Sequence, residues 1–103
     1  MTSPQDPHGD IGTDVILEND QVKVWNLALE PGQASDWHHH HHWYVTIVTV
    51  PGTLKAEFAD GTSRTDTYQV GDVHFRDKDS IHRVINVGQS RYTNVIVELK
   101  KEG

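Results

Sequence analysis

Five consecutive histidines, His38 to His42, lie in the interior of the chain between Trp37 and Trp43. Imidazole is the commonest transition-metal ligand in proteins, and a further histidine, His82, lies far downstream. Histidine runs are usually purification tags, but this one lies mid-sequence, between a turn signal and a β-branched segment. The run therefore predicts metal chemistry that belongs to the fold.

Side chains alternate between the two faces of a β-strand. His38, His40 and, if the strand stays regular, His42 would share one face, while His39 and His41 point the other way. Positions two apart lie roughly 6.5–7 Å apart at the backbone, and their imidazoles can converge on one ion at about 2.0–2.1 Å per bond. The run thus predicts His38 and His40 as ligands, with His42 as a further candidate.

A third ligand must come from a neighbouring strand, and His82 is the natural donor. It follows the polar corner Asp77-Lys78-Asp79 and precedes an alternation of Val84 and Asn86, which indicates an inward-facing position. The affinity order of metals does not choose among iron, nickel, manganese and zinc, all of which accept imidazole. The predicted ligands of one divalent transition-metal ion are His38, His40 and His82.

Short β-strands must position these residues. No segment shows a helical period, and β-branched and aromatic runs alternate with turn residues such as Pro51-Gly52 and Asp60-Gly61. Many short strands at even spacing predict one all-β domain, an antiparallel sandwich or barrel. We expect strands at 15–17, 22–29, 35–42, 44–50, 54–58, 62–68, 71–75, 81–87 and 91–99.

The histidine spacing resembles the first motif of the cupin family. That motif is a glycine, five residues, His-x-His, three or four residues, a glutamate, six residues and a glycine; here Gly32 precedes His38-His39-His40 by that spacing, and the closing glycine is Gly52. The second motif is a glycine, five residues, Pro-x-Gly, two residues, a histidine, three residues and an asparagine. Its glycine, histidine and asparagine spacings are matched here by Gly71, His82 and Asn86.

The resemblance to cupins covers nearly the whole chain from Val15 to Leu99. It implies a single-domain, RmlC-like antiparallel jelly-roll β-barrel. The sequence segments 17–20 and 22–25 are also similar to those of the small cupins associated with β-alanine degradation. That group implies no well-defined reaction, so this likeness adds more to the fold than to the function.

Two departures from the cupin pattern change the expected chemistry. Neither Tyr44 nor Val45, the two slots for the motif glutamate, is a carboxylate, and Asp77-Lys78-Asp79 replaces the Pro-x-Gly corner. Three neutral imidazoles leave a divalent ion its full charge, which should favour an anionic ligand. Cupins with three histidines include thiol dioxygenases and a diketone-cleaving dioxygenase, so the resemblance permits iron and oxygen chemistry without demanding it.

Aromatic and polar side chains near the histidines are candidates for the wall of the site. Arg76, Arg83 or Arg91 could anchor a carboxylate substrate, although strand alternation puts Arg83 on the face opposite His82. Glu98 could support a ligand or act as a general base if its face is inward, although we favour a solvated strand end. No nucleophile constellation or phosphate loop occurs in the sequence, so catalysis would run through the metal. The predicted pocket residues are Trp25, Tyr44, Val45, Ile47, Phe75, Asn94 and Glu98.

Composition sets the organisation of the chain. We expect a flexible, polar tail at 1–14, a barrel at 15–100 and a charged end at 101–103. A net charge of −6 without a basic stripe argues against nucleic acid, and no apolar run is long enough to span a membrane. The chain has no cysteine and a small core, which favour a cytoplasmic location and a homodimer.

Two functions from different classes are consistent with these features. The first is a metal-dependent enzyme that carries out dioxygenase-like or Lewis-acid chemistry on a small anionic metabolite. The second is a non-catalytic module that binds a metal or a small molecule. The missing glutamate favours the module, whereas the intact His-x-His and the distant histidine favour the enzyme, which we prefer.

Overall fold

The structure is a computed structural model that describes residues 1–101. Glu102 and Gly103, which belong to the charged end expected at 101–103, lie outside the described residues. Within residues 1–101 no helix is long and apolar enough to cross a membrane. The strands are β1 (Asp14–Glu18), β2 (Val22–Leu29), β3 (His38–His39), β4 (Tyr44–Val50), β5 (Gly52–Phe58), β6 (Ser63–Tyr68), β7 (Val73–Arg76), β8 (Ile81–Asn86) and β9 (Tyr92–Leu99).

The strands pair antiparallel in two sheets, one ordered β1-β2-β9-β4-β7 and the other β3-β8-β5-β6. Alternation along β2 buries Trp25, Leu27 and Leu29 on one face. Together with Tyr92 and Ile96 of β9, these side chains belong to the core. The all-β antiparallel fold expected from the sequence is confirmed.

The third strand is much shorter than the expected span of 35–42. Only His38 and His39 form a regular ladder with β8. His40 then leaves the ladder, because its N–H donates to the carbonyl of Ser80 at 2.9 Å while its own carbonyl accepts from Asp79. The polar corner before β8 thus takes over the backbone bonds that a longer strand would have made.

The N-terminal segment, expected to be a flexible tail, packs against the barrel in the structure. Thr2 accepts a hydrogen bond from the N–H of Trp37 at 2.9 Å, and the N–H of Gly9 donates to the carbonyl of Trp37 at 3.0 Å. Ile11 is only 8% exposed and belongs to the core cluster. The polar composition of this segment gave no indication of these backbone contacts with Trp37, which lies at the edge of the histidine run.

Candidate metal centre

Three histidines converge at one end of the barrel interior. His38 on β3 is the register partner of His82 on β8, and His40 follows His38 by two residues. One nitrogen from each of the three rings can be chosen so that all lie within 4.8 Å of one another. The Nε2 atoms of His40 and His82 are 3.1 Å apart. The structure therefore brings together the three residues that the sequence selected as ligands.

Hydrogen bonds fix which ring nitrogens are free. Nδ1 of His38 lies 2.8 Å from the carbonyl oxygen of Asp36, so it must donate and leave Nε2 with its lone pair. Nδ1 of His82 lies 3.1 Å from the hydroxyl of Ser80. Nδ1 of His40 is buried and has no hydrogen-bond partner within residues 1–101. In His38 and His82 the outer nitrogen is held, which directs Nε2 toward the common centre.

Burial keeps the three imidazoles neutral. Desolvation lowers the pKa of His38, opposed by its bond to the Asp36 carbonyl, and lowers the pKa of His82 to about 3. The pKa of His40 also falls well below its usual range, first through burial and then through the neighbouring His38 and His82. Neutral imidazole is the protonation state that a metal ligand requires.

The donor set fits a divalent transition-metal ion. Two neutral Nε2 atoms at 3.1 Å bring their lone pairs together unless a proton or a cation lies between them. Metal–nitrogen bonds of about 2.1 Å in tetrahedral or octahedral angles would separate two ligand nitrogens by roughly 3.0–3.4 Å. The observed spacing lies in that range.

Tyr44 occupies the inward position at which the cupin pattern has a glutamate. Its ring stacks on His40, with centroids 3.8 Å apart and planes at 10°. Tyr44 is buried, and burial raises the pKa of its phenol to about 12. Val45, the other slot for the glutamate, lies on the opposite face of β4. The site thus replaces a charged ligand with a neutral aromatic wall.

His42 does not join the three converging histidines. With His39 and His41 it lines a second cavity of about 370 Å³ on the other side of the histidine run. The rings of His39 and His41 have centroids 4.1 Å apart. Because β3 ends at His39, strict alternation does not extend to His42.

A cavity of about 510 Å³ opens beside the three histidines. Tyr44 and Asn94 line it as the sequence predicted. Phe75 also borders the cavity, but it is the register partner of Val45, so its side chain belongs to the outer face of the sheet, where it is 63% exposed and contacts Trp43. Val45 and Ile47 line neither cavity. Both belong to the opposite face of β4 from Tyr44.

Trp25 and Glu98, two further predicted pocket residues, line the second cavity. Nε1 of Trp25 donates to a carboxylate oxygen of Glu98 at 2.8 Å. Glu98 is 5% exposed, so the solvated strand end that we favoured is wrong. This carboxylate does not line the cavity beside the three histidines.

Polar and charged side chains also line that cavity. Asn94 Nδ2 donates to the hydroxyl of Tyr92 at 2.9 Å, while Asn94 Oδ1 is buried without a partner among residues 1–101. The positively charged Arg64 and Arg76 also line the cavity. The alternation of side chains along β7 and β9 indicates which residues line the cavity, but only once the inward face of each strand is known. The wall residues that were not selected from the sequence include Arg64, Thr46, Leu54, Ala56, Phe58 and Tyr68.

Solved structures similar to this one include cupins. The chain is similar to a cupin domain from Bordetella pertussis Tohama I, with 32% identity and a TM-score of 0.80 over 90% of this chain and 95% of that one. An RmlC-like cupin family protein from Methanocaldococcus jannaschii has 13% identity and a TM-score of 0.70, covering 84% and 76%. A protein with a double-stranded β-helix domain from Klebsiella pneumoniae has 22% identity and a TM-score of 0.68, covering 100% and 92%.

The last two likenesses show the fold, and the first shows the family. A scan of protein-family models gave no match, and neither did a search of functionally curated proteins. The jelly-roll barrel expected from the motifs is confirmed. With 32% identity over almost the full length of both proteins, the chain belongs to the cupin superfamily.

Proposed function

We propose that this cupin holds one divalent transition-metal ion through His38, His40 and His82 and acts as an enzyme on a small anionic metabolite. The observation that carries the proposal is the 3.1 Å approach of two neutral imidazole Nε2 atoms at the edge of a cavity. A bound ion would polarise a ligand oxygen as a Lewis acid or, as iron, support dioxygenase-type chemistry. Iron, nickel, manganese and zinc all suit the donors.

The chain's own residues would bind and orient the metabolite. Asn94 presents a buried, unpartnered Oδ1 that can accept a hydrogen bond from a ligand hydroxyl or amine. Tyr44 and Phe58 give the cavity apolar walls that exclude water from the same space. Three neutral ligands leave the charge of the ion uncompensated, which favours an anionic ligand beside it.

Metal content tests the ligand assignment. We expect one equivalent of metal in untagged protein prepared from its native host, and loss of that equivalent in His82→Ala. His39→Ala is the matched control, because His39 is in the same run but lines the second cavity. A full equivalent of metal retained by His82→Ala in elemental analysis would overturn the assignment.

Turnover tests the enzymatic part of the proposal. Oxygen uptake by the iron-loaded protein should be followed with small 2-oxo acids, diketones, thiols and catechols. Lewis-acid reactions of the same compounds should be followed without oxygen for each loaded metal. We expect turnover that disappears in His82→Ala and persists in His39→Ala.

One observation favours a non-catalytic metal-binding or small-molecule-binding module instead. The Tyr44 ring lies flat against His40 at 3.8 Å, where a cupin glutamate would supply a charged ligand. A bulky neutral side chain over a ligand restricts the open coordination positions that catalysis needs. Retention of metal with no turnover in either set of assays would support this alternative.

The outer face of the five-stranded sheet supports a homodimer. A row of apolar side chains crosses all five strands in register, and its end members Leu17 and Phe75 are 54% and 63% exposed. Apolar faces of this kind are typical of subunit contacts. The row consists of Leu17, Val24, Val97, Val45 and Phe75.

Sedimentation analysis of Val97→Lys tests the homodimer. A charge in the middle of the row should convert a dimer into a monomer, whereas Val87→Lys, which alters an exposed valine outside that sheet, should not. A wild-type monomer at all concentrations would contradict the proposal.

We also expect the protein to work in the cytoplasm, since it has no cysteine to oxidise.

A further inference from the structure

Arg76 shares the cavity face with the candidate metal ligands. It is the last residue of β7 and the register partner of Tyr44, whose ring stacks on His40. Directly opposed residues of an antiparallel pair project to the same face of the sheet. Arg76 accordingly lines the cavity beside the three histidines and is only partly exposed.

Arg76 differs from the other arginines near the site in having no anionic partner. Within residues 1–101 its guanidinium makes no hydrogen bond and no ion pair. By contrast, Arg64 bonds the carboxylate of Asp66 at 2.6 Å, and Arg83 bonds that of Glu57 at 2.7 Å. A guanidinium presents a planar fork of N–H donors that matches a carboxylate in bidentate fashion. Arg76 therefore brings to the cavity a fork of N–H donors that matches a carboxylate and has no ion-pair partner within residues 1–101.

The positive charge of Arg76 influences a buried residue inside the barrel. Burial raises the pKa of Tyr92 to about 12, and the positive charge of Arg76 is among the influences that oppose this rise. Tyr92 is a core residue that lines the same cavity, and its hydroxyl is held by Asn94. The cavity thus contains a cation with no partner and, at Asn94 Oδ1, an acceptor with no partner.

We propose that Arg76 anchors the carboxylate of a small carboxylic acid in the cavity beside the three histidines. This inference rests on the proposed function for its place beside a metal ion, but the anchor itself needs only the guanidinium. The ligand class is a small monocarboxylate with a second polar group. Its carboxylate pairs with Arg76, and its other polar group is available to the metal centre or to Asn94.

Pyruvate is a suitable probe, with its uncharged amide, pyruvamide, as the matched neutral compound. Calorimetric titration of each into wild-type protein, Arg76→Gln and Arg83→Gln should be carried out with metal-free and nickel-loaded protein. Arg83→Gln is the control variant because it removes an arginine that is already paired, with Glu57. Arg76→Lys keeps the charge and removes the bidentate fork.

We expect pyruvate to bind wild-type protein, with affinity reduced at least tenfold in Arg76→Gln and to an intermediate degree in Arg76→Lys. Arg83→Gln should stay within twofold of wild type, and pyruvamide should bind all four proteins alike. Equal pyruvate affinity in wild type and Arg76→Gln, or no pyruvate binding by either form of the wild type, would overturn the anchor. Thermal unfolding of each variant checks that the fold is retained.

The two forms of the protein separate the anchor from the proposed function. Arg76-dependent binding in metal-free protein together with failure to retain nickel supports the anchor and contradicts the metal site. Retention of nickel by His38, His40 and His82 without any Arg76 dependence supports the metal site and overturns the anchor.

Discussion

The backbone N–H of Asp79 donates a 2.6 Å hydrogen bond to the carbonyl of His40. Asp79 has a φ of +73°, and it stands where the second cupin motif has a glycine. Its carboxylate also lies 3.4 Å from Nε2 of His39. One aspartate in a left-handed conformation thus holds the backbone of a candidate ligand and contacts the histidine that precedes it in the run.

Replacing Asp79 should separate these two roles. Asp79→Gly removes the left-handed strain and keeps the N–H, so we expect the free energy of unfolding to rise by about 0.5–1 kcal/mol. Asp79→Ala also removes the carboxylate but retains a Cβ, and it should be less stable than wild type. Urea denaturation of the three proteins measures both differences. If the glycine variant were less stable than the alanine variant, the left-handed backbone conformation at Asp79 would not be a source of strain.

The spacings of the two cupin motifs allowed His38, His40 and His82 to be selected from the sequence, and the structure brings them together. Spacing succeeds here because β3 and β8 pair directly, so that a short local pattern and one register determine the cluster. The orientation of His42 was harder to predict, because the alternation of side chains cannot be extrapolated past the point where the strand ends.

The faces of β4 could not be read from its sequence. Its segment Tyr44–Val50 has β-forming residues on both faces, since the outer face of this sheet is also apolar. A strand with no polar face gives no alternation, and Val45 and Ile47 were therefore grouped with Tyr44.

Metal-free protein should lose stability as the pH falls below about 6.5. The pKa values of His38, His40 and His82 are lowered in the folded state, so the unfolded state takes up protons first. The free energy of unfolding should then fall by up to about 1.4 kcal/mol per pH unit for each histidine. Chemical denaturation between pH 7 and about pH 5, above the main titration of carboxylates, measures the slope.

A variant provides the control for this pH dependence. His82→Asn removes one of the three groups, so its slope over the same interval should be about two thirds of the wild-type slope. A wild-type profile that is flat over this interval would mean that the histidines are not held neutral by burial.

Restoring the motif carboxylate should strengthen metal binding only at the inward slot. Tyr44→Glu places a carboxylate on the face that contacts His40, and we expect about a tenfold lower Kd for a divalent ion. Loss of the buried ring should also cost the metal-free protein about 3 kcal/mol. Val45→Glu is the matched control, and calorimetric titration with nickel should give an unchanged Kd. Equal effects at both positions would contradict the assigned faces of β4.

Close backbone contact between the N-terminal segment and the histidine run makes Gly9 a sensitive position. A Cβ at Gly9 would lie 2.8 Å from the carbonyl oxygen of Trp37, the same carbonyl that accepts the Gly9 N–H. Neither backbone can yield without breaking that bond, so Gly9→Ala should release the segment from the barrel. Limited proteolysis should then cut within residues 1–12 at least tenfold faster than in wild type. Gln5→Ala, at an exposed position of the same segment, should be cut at the wild-type rate. Rapid cleavage of the wild type itself would instead support the flexible tail that was predicted from the composition.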